Sequence, residues 1–136
     1  MAACLFIVVE GEDPGFDTFV NGHALARNEE GLHRLAVTLH VDPLLDFFSA
    51  DEDSMALLLE QGAGDPEWAR NLPAPQWFSG QEGLATIQAL IRFLADSPAA
   101  LGSETAPVLI ELHEYERVLA KTAALGLRWH LAASWR

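Results

Sequence analysis

Leu127-Arg128-Trp129-His130-Leu131-Ala132-Ala133-Ser134-Trp135 decides the fold class. Leu127, Trp129, Leu131, Ala133 and Trp135 alternate with Arg128, His130, Ala132 and Ser134, the period of two expected of a strand with one buried face. At the opposite end of the chain, Cys4-Leu5-Phe6-Ile7-Val8-Val9 is a continuous run rich in β-branched and aromatic residues. Glu10-Gly11-Glu12-Asp13-Pro14-Gly15 stops it. Such a run reads as a central strand buried on both faces. A strand needs hydrogen-bond partners, so the economical arrangement pairs the first strand with the last in one small sheet. Helices between them would cover that sheet, giving an α+β fold.

The intervening sequence supplies those helices. Val108, Leu112, Tyr115, Leu119 and Thr122 recur every three or four residues from Pro107, whose missing donor costs nothing in a first helical turn, to a stop at Gly126. Upstream, Ser79-Gly80-Gln81-Glu82 has the spacing of a capping box and precedes Leu84, Ile87, Leu90, Ile91 and Leu94, a helix ending near Ser97-Pro98. Asn28 caps a third helix, with Glu29 and Glu30 at its positive end and Leu32, Leu35, Ala36 and Leu39 facing the core. Ser49-Ala50-Asp51-Glu52 repeats the capping-box pattern ahead of Met55, Leu58 and Leu59, a helix running to Gly62. Leu44 to Phe48 is too short for periodicity to separate a strand from a buried turn. The stretch through Asn21-Gly22 reads as a loop anchored by Phe16 and Phe19, and Gly62 to Pro75 as the longest irregular segment, with Trp68 and Leu72 as anchors. No repeat interrupts the pattern, and 136 residues fit one domain spanning 1–136.

The layout of a short N-terminal strand, Trp77 and Phe78 ahead of the capped helix Ser79 to Leu94, and a last helix passing through Ala123-Ala124-Leu125-Gly126 into a terminal strand resembles the YfbM-like bacterial proteins of unknown function. The resemblance covers residues 77 to 134, and the acidic loop from Glu10 to Asp17 departs from it. It implies a small α+β fold and carries over no functional residue.

Half of the residues are apolar and 21% are charged, enough hydrophobic material for a packed core. Cys4 is the single cysteine, which excludes an intrachain disulfide and favours a reducing compartment. The start lacks a basic leader and no apolar run approaches the roughly 18 residues of a membrane span, so a cytoplasmic protein without membrane contact is expected. Net charge is −12. Residues 1–67 hold 14 of the 20 acidic residues against Arg27 and Arg34, whereas residues 68–136 balance six acids with six bases. Such an acidic first half repels nucleic acid and attracts a basic protein partner.

No complete catalytic motif is present. His113-Glu114-Tyr115-Glu116-Arg117 begins a zinc-protease HExxH pattern but ends in arginine, leaving a solvated helix face on which Glu114 can pair with Arg117. Glu29 and His33, one turn apart, offer only two metal ligands, and the spacing of Glu10, Glu12, Asp13 and Asp17 does not match an EF-hand loop. Cofactors and metals are therefore not expected. The first functional expectation is an acidic protein-binding module without catalysis, such as an immunity- or antitoxin-like inhibitor, recognising its partner through Glu12, Asp13, Asp17, Asp51, Glu52, Asp53, Asp65 and Trp68. A second is a small enzyme in which Glu10, Asp46 and His130 converge in a pocket at the sheet. The third is a homo-oligomer that buries a sheet edge against its own copy.

Overall fold

In the computed structural model, which describes residues 3–11, 14–49 and 76–135, the fold is α+β. A three-stranded antiparallel sheet joins β1 (Ala3–Val9), β2 (Phe78–Ser79) and β3 (Arg128–Trp135) in the order β1-β3-β2. The helices are α1 (His23–Arg27), α2 (Glu29–Leu39), α3 (Gly80–Asp96) and α4 (Thr105–Ala124), with 3-10 turns at Leu44–Phe47 and Gly102–Glu104. The pairing of the two terminal strands expected from the sequence is present, in a register running from Ala3 opposite Trp135 to Val9 opposite Trp129.

The first strand is not the central one that its sequence suggested. β3 is the central strand and β1 lies beside it at the end of the sheet. Alternation in β3 predicted one buried face, yet Trp129, His130, Leu131 and Ala132 are all buried. The small side chain of Ala132 and the paired ring of His130 let the second face close over, which a count of polar against apolar residues does not register.

One face of the sheet presents Leu5, Ile7, Val9, Trp129 and Leu131 to the helices. Ile87, Leu90 and Leu94 from α3 and Val108, Leu112, Tyr115 and Leu119 from α4 complete that core, all of them fully buried. α3 and α4 approach each other backbone to backbone at Gly80, where a Cβ would lie 2.6 Å from the Ala123 nitrogen. Gly83 performs the same service beneath the Trp129 indole, whose Nε1 donates to the Ser79 carbonyl at 3.0 Å. Phe47 stacks on that indole at 5.1 Å and meets Phe78 edge-on at 5.3 Å, an arrangement that aromatic quadrupoles favour. The ambiguous 44–48 stretch is thus a 3-10 turn that buries one ring and then bridges from Phe48 to Leu131.

Ser79 caps α3 as its sequence indicated, accepting the Glu82 N–H at 3.1 Å. Asn28 precedes α2, but its side chain donates to the Ala24 and Glu104 oxygens instead of capping the helix. α1 was not foreseen, because five residues offer too little periodicity to detect. The expected helix from Ser49 to Gly62 and the irregular segment from Gly62 to Pro75 lie outside the described residues beyond Ser49.

Candidate functional site

Antiparallel pairing alternates the direction of main-chain groups along β1. The Glu10 N–H bonds to the Arg128 carbonyl at 2.8 Å, whereas the Leu5 N–H bonds on the opposite side to Gly22 at 3.2 Å. Leu5, Ile7 and Val9 therefore direct their N–H and C=O groups away from β3. After the turn that follows Glu10, the chain returns along this outer edge, and Gly22 packs so closely on Leu5 that any Cβ would overlap the Leu5 carbonyl. The buried Tyr115 hydroxyl donates to that same carbonyl from α4.

Above Gly22 the return segment parts from β1. Arg117 on α4 donates to the carbonyls of Asp17 at 3.0 Å and Phe19 at 3.2 Å, so these acceptors turn toward the helix and not toward the strand. Lys121, one turn further on, lies 5.7 Å from the centre of the Phe16 ring. Asp17 folds the segment locally by accepting the Phe19 N–H at 2.9 Å. The result is a cleft of about 280 Å³ between strand and segment, lined by Phe6, Ile7, Asp17, Thr18, Phe19 and Val20. Of the two rings expected to anchor this loop, Phe16 packs against the core while Phe19 is 60% exposed at the cleft. Arg117 was expected to pair with Glu114; it is drawn instead to two carbonyls nearly 100 residues away in sequence, because the return segment brings them over α4.

The lower end of the segment is fixed by a carboxylate that sequence reasoning overlooked. Glu111 is 6% exposed, and its two oxygens accept the Ala24 N–H at 3.0 Å and the Leu25 N–H at 2.9 Å. These are orphan donors of the first turn of α1, and a third, on His23, bonds to the Asn21 side chain. Burial holds the Glu111 carboxyl above its ordinary value, opposed by its two backbone hydrogen bonds, with the Glu114 charge adding to the rise and Arg27 to the opposition. The signal was present in the sequence: Glu111 falls inside the apolar stripe, three residues after Val108 and four before Tyr115.

The three residues of the enzyme reading are engaged separately. Glu10 forms a forked ion pair with Arg128, which holds the guanidinium pKa above its usual value. His130 is buried, its Nδ1 3.1 Å from the Gln76 carbonyl and its ring centre 4.3 Å from that of Trp77. Asp46 is exposed on the 3-10 turn. Among the candidate partner-binding residues, Asp17 lines the cleft, while Glu12, Asp13, Asp51, Glu52, Asp53, Asp65 and Trp68 lie outside the described residues. The Ser49 N–H bonds to the Leu131 carbonyl, and the Gln76 N–H donates to the Ser49 hydroxyl at 3.0 Å.

A second, shallower cleft of about 360 Å³ between α2 and α3 is lined by Leu39, Ala89, Arg92, Phe93 and Asp96. Among the described residues no group of three or more histidines, cysteines or carboxylates is placed to hold a metal ion, and no helix is long and apolar enough to cross a membrane. No family model, curated protein or solved structure matches the chain.

Proposed function

We propose that this chain is an acidic protein-binding module that works by masking a basic partner, as an immunity or antitoxin protein does, and carries out no catalysis of its own. The observation that supports this reading is the distribution of charge along the chain. Around the first turn, Glu10 is matched by Arg128, while Arg117 and Lys121 lie against the segment that bears Asp17. Between Arg34 and Arg70, by contrast, the chain has eight acidic residues and neither lysine nor arginine. That uncompensated stretch includes Asp51, Glu52, Asp53 and Asp65. Ser49 and Gln76, which flank residues 50–75, are hydrogen-bonded neighbours, and the Ser49 N–H bonds to Leu131 of the central strand. Concentrated charge of one sign accelerates encounter with a partner of the opposite sign and selects against acidic competitors.

Binding is preferred to carboxylate–histidine catalysis because Glu10 and His130 already have close partners in the fold, and neither cleft contains Glu10, Asp46 or His130.

The test is capture on the immobilised protein from lysate, followed by elution in rising salt and by the same capture on a variant with Asp51, Glu52 and Asp53 converted to Asn, Gln and Asn. A single basic protein that elutes with salt and is lost from the variant is the expected result. Retention that ignores both salt and the substitutions overturns the proposal.

A further inference from the structure

We infer that residues 18–22 are a strap that closes on the outer edge of β1 as a fourth antiparallel strand, filling the cleft between them. The segment already has the pattern of a strand. Gly15, Asp17, Phe19 and Asn21 are exposed, while Pro14, Phe16, Thr18, Val20 and Gly22 between them are half-buried or buried. A period of two in burial belongs to extended chain with one face on a core. The carbonyls follow the same parity: those of Asp17 and Phe19 turn to Arg117 on α4, and that of Gly22 turns the other way, to the Leu5 N–H.

The bond from Leu5 to Gly22 sets the register. Antiparallel pairing from that point places Ile7 opposite Val20 and Val9 opposite Thr18. The faces agree, since Ile7, Val9 and Val20 all belong to the core, whereas a slip of one residue would put Val20 on the wrong side. Ile7 and Val20 both line the cleft and are 5% and 2% exposed. Among the described residues, however, no hydrogen bond reaches the main-chain N–H or C=O of either. Main-chain groups with so little access to water are ordinarily paired, and drawing the segment in to one strand spacing pairs all four at once. Gly22, where no Cβ fits against Leu5, is the fixed end of the strap. Arg117 acts from the helix side, holding the odd-numbered carbonyls so that closure occurs in register. The closed strap covers an edge that is otherwise open to pairing with another chain, and the device needs no partner to operate.

Two measurements on the full chain test this. With Ile7 and Val20 as a hydrogen-bonded pair, Val8 and Phe19 form the adjacent pair without hydrogen bonds, in which the two backbones lie closest. The proton NOE spectrum of the unmodified chain should therefore show a contact between the α-protons of Val8 and Phe19. The second measurement is disulfide trapping in a Cys4→Ala background. Val8→Cys with Phe19→Cys should close under mild oxidation at least about tenfold faster than Val8→Cys with Thr18→Cys, whose Cβ bonds point to opposite faces and cannot be bridged without backbone movement. A missing α-proton contact overturns the strap, and so do equal rates for the two cysteine pairs. Because the NOE is read on the unmodified chain, it decides the matter even where a cysteine variant fails to fold.

Discussion

Replacing Glu111 by alanine removes both acceptors from the first turn of α1. The Ala24 and Leu25 N–H groups would then sit in a buried position without partners, each costing about 1–3 kcal/mol. Relief of the cost of burying a carboxylate offsets part of this, so a net loss of about 2–4 kcal/mol at neutral pH is expected. Glutamine retains one acceptor and turns an amide donor toward the other N–H, for a loss nearer 1 kcal/mol. The pH dependence has a defined sign. A carboxyl whose pKa is higher folded than unfolded binds its proton more tightly in the fold, so wild-type stability gains from this group as pH falls through its folded pKa, and the gain is complete below the ordinary value of 4.5. Glu104 acts in the opposite direction, since its hydrogen bonds to Arg27 and Asn28 hold its pKa down, and its contribution is lost as pH falls through that lowered value. Comparing wild type with Glu111→Gln cancels the Glu104 term, which both proteins share. Urea denaturation at several pH values should therefore show the gap between them widening from pH 7 toward 4.5. A gap that stays constant or narrows on acidification would show that the two backbone donors, and not burial, dominate at Glu111. A loss below about 1 kcal/mol for Glu111→Ala at neutral pH would refute the capping role itself.

Three further perturbations probe different joints of the fold. Gly83→Ala places a methyl group inside the Trp129 indole, and loss of about 3 kcal/mol or more is expected, read as a lowered urea midpoint or loss of soluble protein. Tyr115→Phe leaves the ring in place and deprives the Leu5 carbonyl of its donor, lowering stability by about 1–2 kcal/mol in the same assay. Arg117→Gln should change global stability by less than about 1 kcal/mol, since the guanidinium is exposed, yet speed hydrogen exchange at the amides of residues 17–20; unchanged exchange there would show that the segment does not depend on this clasp.

Sequence periodicity revealed the elements whose burial is repetitive and left the others hidden. The stripe from Val108 to Thr122 and the run from Leu84 to Leu94 each bury one face, so their spacing alone located α4 and α3. The terminal strands were equally plain, and their pairing followed from the need of main-chain groups for partners. What pattern could not supply was which of them lies inside. A continuous apolar run suggested that Cys4 to Val9 was central, but a return segment hydrogen-bonded to β1 through Gly22 can cover an edge as well as a strand can. α1 escaped for a related reason: its N-terminus is capped by a residue 86 or 87 positions distant, and local capping patterns have no access to such a partner. The candidate site divided in the same way. Glu10 and His130 were recognised as polar residues near the sheet and Asp17 as a partner-binding candidate, whereas their actual neighbours, Arg128, the Gln76 carbonyl and the Phe19 N–H, follow only from the way the turns bring the chain together.

These joints share one origin. Glu111, Tyr115, Arg117 and Lys121 project from successive turns of α4, and all four reach residues between Leu5 and Leu25. The N-terminal quarter is therefore positioned by side chains of one helix as much as by its own main-chain ladder. A buried cap and a buried hydroxyl fix its lower part, where Gly22 lies against Leu5; an exposed guanidinium and an exposed ammonium hold its upper part, where the cleft opens. Exposed contacts are individually weak, so the upper part opens at lower cost than the lower part, which keeps its register. The rise in hydrogen exchange expected of Arg117→Gln should consequently stop at Val20 and leave the amides of Ala24 and Leu25 protected, whereas Glu111→Ala should expose those two and loosen the cleft with them.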